Sequence, residues 1–120
     1  MRVRIGPYRK NRATRVEIEP HDTWSMDCTL AMIIHPMLVQ LKATTHGYPS
    51  DLTEERWNEI LDEMIWAFGY KSKEIDAGDM CADKCSNFGD PICKACLKEI
   101  QERLTNAFKL FGKYYENLWD

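Results

Sequence analysis

A chain of 120 residues with 44% hydrophobic and 29% charged side chains is long enough for one hydrophobic core and too short for two. No run of apolar residues approaches the ~20 needed to span a bilayer, so no membrane partner is expected. The net charge of −3 argues against a nucleic-acid partner, although the charge is unevenly spread.

Six basic residues, Arg2, Arg4, Arg9, Lys10, Arg12 and Arg15, precede the first acid, Glu17. Arginine forks match phosphate oxygens, so such an arm can hold a nucleotide or nucleic acid. The same stretch also reads as a β-hairpin, because Val3 and Ile5 alternate with Arg2 and Arg4 while Val16 and Ile18 alternate with Arg15, Glu17 and Glu19. On that hairpin Arg2 and Arg4 are expected opposite Glu17 and Glu19, leaving the excess charge to the loop from Arg9 to Arg12. Gly6-Pro7 marks a bend or strand end.

Beyond Pro20 the period becomes helical. Asp22 or Thr23 is placed to cap a helix whose apolar face runs Met26, Leu30, Ile33/Ile34, Met37/Leu38 and Leu41. Pro36 should kink it after His35, and His46-Gly47-Tyr48-Pro49 should stop it. A second helix is expected from Asp51, with Glu54 completing a capping box, a buried stripe of Trp57, Ile60/Leu61, Met64 and Phe68, and an end at Gly69. Residues 71–90 show no period. A third helix is expected from Pro91, where Asp90-Pro91 supplies an N-cap and a proline at the first helical position. Run without interruption to Asp120 it would be about 45 Å long, more than one small domain can cover. Either Gly112 breaks it, or a second copy covers Phe111 to Trp119 in a symmetric homodimer.

Four cysteines, Cys81, Cys85, Cys93 and Cys96, fall within sixteen residues across the junction of loop and third helix. Two close thiol pairs joined by a short loop can wrap one tetrahedral Zn²⁺, and four sulfur ligands leave no position for a catalytic water. Zinc in a structural role is therefore the expected cofactor. Unliganded thiols, disulfides and an iron–sulfur cluster are the other readings of this spacing. The opening MRVRIGPYRK has no apolar signal region, which disfavours disulfides. Cys28, far off in a helical pattern, reads as a small core residue.

The fold expected is thus mainly α and a single domain, residues 1–120: a β-hairpin arm (1–20) packed on about three helices, with a helical pair (22–70), a zinc-stapled cysteine loop (71–96) and a C-terminal helix (91–120).

Three segments carry a resemblance. Asp22-Thr-Trp-Ser-Met-Asp27 continuing through Pro36-Met-Leu to Lys42 and His46-Gly47, then Trp57 to Phe68, then Phe108 to Trp119-Asp120, resemble a family of small proteins encoded by tailed bacteriophages. The resemblance implies a phage protein acting in the bacterial host cytoplasm and supplies no established activity. It also implies that the cysteine cluster is a local variation, since relatives generally lack it. The recurring segments hold residues that a core does not require, and Trp24, Asp27, Lys42, His46, Lys113 and Tyr114 suit a nucleobase and phosphates. A non-enzymatic accessory protein that sequesters a nucleotide-like signal in counter-defence follows by analogy. The same aromatics serve equally as core or interface anchors, as in a module that binds a host or phage protein. A Mg²⁺-dependent nucleotide phosphohydrolase is the third reading, with Glu59, Asp62, Glu63 and Asp27 as the carboxylate set. Acids so spaced usually form a solvated helix face.

The cysteine cluster generates a direct expectation. Metal analysis of protein purified without chelator should find about one zinc per chain with Zn–S near 2.3 Å, and two disulfides or no metal would overturn the site.

Overall fold

The computed structural model describes residues 1–44, 47–74 and 94–119, which form a two-stranded antiparallel hairpin and three helices. Strands β1 (Arg2–Ile5) and β2 (Thr14–Glu17) lead into a 3-10 turn at Pro20–Thr23, then α1 (Met26–Thr44), α2 (Glu54–Lys71), α3 (Lys94–Lys113) and a last 3-10 turn at Tyr115–Asn117. The third-helix start expected at Pro91, and the loop expected over 75–90, lie outside the described residues.

Helix α2 is the centre of the molecule. It buries Trp57, Ile60, Leu61, Met64, Trp66, Ala67, Phe68 and Gly69, and both α1 and α3 pack on it. Its Trp57, Ile60, Leu61, Met64 and Phe68 form one cluster with Ala31 and Leu38 of α1, and Tyr114 meets Trp57 edge-on at 5.6 Å between ring centres. Against its second half lie Ile100, Leu104 and Ala107 of α3, where fully buried Ala67 and Ala107 leave room for close approach of the two helices. Phe68 joins the two halves through edge contacts with Phe108 and Phe111 at 5.5 and 4.9 Å.

Several local expectations are corrected by the chemistry of the ends. Thr53, not Asp51, caps α2: its Oγ1 accepts from the Arg56 amide at 3.2 Å. The helix runs past Gly69, which is buried inside it, to Lys71. There Lys73 takes the left-handed conformation (φ 67°), while its amide donates to the Tyr70 carbonyl and the Glu74 amide to that of Gly69. This is a Schellman close with lysine where glycine is usual. Neither Asp22 nor Thr23 caps α1. They belong to the 3-10 turn, and the Ser25 carbonyl accepts the first α1 amides, Cys28 and Thr29, at 3.1 Å each. Pro36, where a kink is expected, lies inside helix α1.

Helix α3 stops at Lys113, just after Gly112, and the chain turns at Tyr115–Asn117. The described helix is about 30 Å long at ~1.5 Å per residue, so excess length no longer calls for a second copy. Phe111 is half-buried on the core, and Trp119 is exposed.

The hairpin is formed but does not pack on the helices as expected. It adds no residue to either core cluster, and every residue of β1 and β2 except Glu17 is exposed. Its register pairs Arg2 with Glu17 but Arg4 with Arg15, because Val3 opposite Val16 fixes the alignment. The Met1 amino group, 3.0 Å from Asp22, ties the hairpin to the turn before α1.

This division predicts unequal responses to truncation. Leu61→Ala, at a fully buried site, should cost about 2–5 kcal/mol in denaturant melts, while Val16→Ala on the hairpin should cost under about 1 kcal/mol. Equal losses would mean that the hairpin shares the core.

Candidate functional site

The helix pair α1–α2 is antiparallel and laced by ion pairs. Lys71 reaches Asp27 at 2.9 Å near one end, and Lys42 reaches Asp62 at 2.5 Å along the other half. Across the second helix pair, Arg103 of α3 donates twice to Glu63, at 2.9 and 3.0 Å, while its guanidinium lies 3.8 Å from the centre of the Trp66 ring. Glu59 pairs with Arg56 at 3.0 Å. Asp27, Glu59, Asp62 and Glu63 are thus each engaged by a different cation, and no group of three or more His, Cys, Asp or Glu suited to a metal occurs among the described residues.

The residues suited to a nucleotide are divided in the same way. Trp24 is 83% exposed and stacks on His21, and Asp27 stands one helical turn further on. Lys42 lies fifteen residues along α1 from Asp27, about 22 Å at ~1.5 Å per residue. Tyr114 is buried against Trp57, and the Lys113 ammonium lies 5.2 Å from its ring centre. Lys113 and Tyr114 are brought together. Trp24 and Asp27 are held away from Lys42, so the five described residues do not share a concavity; His46 lies outside the described residues. Of the zinc ligands expected, Cys96 is described and is buried in the first turns of α3, whereas Cys81, Cys85 and Cys93 lie outside the described residues.

A different concavity is present. The second half of α1 and the end of α3 leave a groove of about 660 Å³ between them, walled by Ile34, Met37 and Leu41 on one side and by Phe111, Tyr115 and Leu118 on the other. No charged residue occurs among the described residues that wall it. The composition of α1 explains why: residues 28–41 contain no Asp, Glu, Lys or Arg, yet only Ala31 and Leu38 are buried, while Met26, Leu30, Met32, Met37 and Val39 are exposed. A helix without charge on any side is normally covered on all sides. Assigning Met37 and Leu41 to one buried stripe hides the groove; the absence of charge around the whole of α1 is the signal for it.

No family model matches the chain, and neither a curated protein nor a solved structure matches it.

The Asp27–Lys71 pair sets a pH dependence. The Lys71 hydrogen bond, followed by the Cys28 amide, holds the Asp27 carboxyl below its usual value, and Asp27 in turn raises the Lys71 ammonium. A depressed acid contributes stability above its unfolded pKa, about 3.9, and loses it as pH falls through the folded value. A raised base contributes fully below its unfolded pKa, about 10.4, and loses it as pH rises through the folded value. Thermal melts from pH 2 to 11 should show Asp27→Asn narrowing its deficit relative to wild type outside about pH 4–10. A deficit constant across that range would mean that the pair contributes nothing.

Proposed function

We propose that the protein is a non-enzymatic interaction module whose groove between α1 and the end of α3 receives an apolar helix of a partner protein. The observation that carries this reading is the uncharged run 28–41, exposed over much of its surface beside a groove with apolar walls. Groove recognition of an amphipathic helix uses such walls, with side chains at i, i+3, i+4 and i+7 as anchors. Exposed methionines favour it further, since their unbranched, polarisable side chains adapt to different shapes. The partner is a host or phage protein or a second copy of this chain. A phage origin and a place in the bacterial cytoplasm follow from the resemblance of the Asp22, Trp57 and Phe108 segments. Zinc on Cys81, Cys85, Cys93 and Cys96 remains the proposed structural staple before α3.

The test is a photo-crosslinking amino acid placed at Met37 or, as a control, at Lys109, in cells infected with the parent phage, with adducts identified by mass spectrometry. One protein should be captured from Met37 and not from Lys109. Leu118→Asp should reduce capture at least about tenfold, equivalent to about 1.4 kcal/mol. Light scattering on the purified chain separates a second copy from a foreign partner. If Met37 captures nothing beyond the control while nucleotides raise the melting temperature, sequestration of a small molecule replaces this reading.

A further inference from the structure

The hairpin has a charge and a placement that the groove does not use. Residues 1–16 hold six of the chain's sixteen basic residues and none of its acids, leaving ten basic against nineteen acidic residues for the remainder, a net −9. In the helical body Lys42, Arg56, Lys71 and Arg103 each sit in an ion pair. On the hairpin only Arg15 does, with Glu17, and no acid among the described residues pairs with Arg4, Arg9 or Lys10. The register makes the imbalance worse for folding. Arg4 stands directly opposite Arg15, a like-charge arrangement that Glu17 relieves only on the Arg15 side, leaving Arg4 without a counter-charge among the described residues.

The tip is built to hold its shape. Residues 7–12 form the loop, closed where the Gly6 amide donates to the Ala13 carbonyl at 2.8 Å and Arg12 Nε donates to the Gly6 carbonyl at 2.8 Å. That bond holds the Arg12 guanidinium at the base of the loop. Tyr8 is 93% exposed beside Arg9 and Lys10. A two-stranded ribbon with Arg2, Arg4 and Arg15 on one face beside a single acid, Glu17, and with a basic tip is an element that the major groove of duplex DNA, about 12 Å wide, admits.

We infer that the N-terminal hairpin is a nucleic-acid-binding arm. It engages the phosphate backbone of duplex DNA without reading sequence, through Arg4, Arg9 and Lys10, with Tyr8 at the tip against the groove. The acidic body repels the duplex, which confines binding to the arm and keeps affinity in the range usual for non-specific binding, about 10⁻⁴–10⁻⁶ M at physiological salt.

Fluorescence anisotropy of the full chain with a labelled 20-base-pair duplex, titrated from 50 to 200 mM salt, tests this. Binding at 50 mM should weaken steeply with salt. Arg9→Gln with Lys10→Gln should make the log–log slope shallower by about 0.9 for each phosphate that is no longer neutralised. The melting temperature should stay unchanged, because the arm lies outside the core. Lys109→Gln with Lys113→Gln on the body should alter neither slope nor affinity by more than about twofold. Absence of binding at 50 mM, arm and body variants that behave alike, or binding to anionic phospholipid vesicles in place of the duplex would each overturn the inference.

Discussion

The helical body is arranged around the burial of one helix. Trp57, Ile60, Leu61 and Met64 of α2 are almost completely removed from water, at about 1.5–3 kcal/mol for each such side chain. Trp66, Ala67 and Phe68 extend that burial round to the other side. A helix buried on two sides needs two neighbours, and α1 and α3 are those neighbours. Their own outer surfaces are then set by how α2 orients them. Helix α3 carries charge on its outer face, whereas α1 carries none between Asp27 and Lys42. The open groove is a consequence of α2 having been satisfied before α1 was.

The ion pairs differ in weight although their lengths are similar. Lys42–Asp62 and Arg56–Glu59 are exposed and contribute little, as surface pairs do. Arg103 is different in kind. It is held by two parallel bonds to Glu63 while its guanidinium covers the Trp66 ring, which itself stacks on Tyr70 at 5.8 Å. A planar fork with an aromatic surface beneath it fixes the relative position of α2 and α3 in a way that lysine cannot reproduce.

How much of this is legible in the sequence follows from which forces are local. The stripe Trp57–Phe68 is readable because a 3.6 period needs only one face to be buried, and Ile100, Leu104 and Ala107 follow by the same rule. The hairpin is readable from alternation, but not its register, since the Val3–Val16 pairing that sets Arg4 against Arg15 depends on a loop whose length permits more than one alignment. The boundaries at Thr53 and Lys71 escape because Asp51 and Gly69 carry stronger statistical signals than the residues that perform those tasks. The nucleotide residues are testable by spacing only in part: Asp27 and Lys42 both fall on the helix expected before His46, which already sets them ~22 Å apart. Only the three-dimensional arrangement reveals that Tyr114 serves Trp57.

The exposed methionines give α1 a chemical sensitivity. Met26, Met32 and Met37 are accessible to peroxide, while Met64 is sealed in the core. Oxidation to the sulfoxide would turn the apolar surface polar without disturbing the packing around α2, and methionine sulfoxide reductases would restore it. The helix that leaves its surface uncovered is therefore also the one that an oxidative burst can rewrite while the fold beneath stays intact.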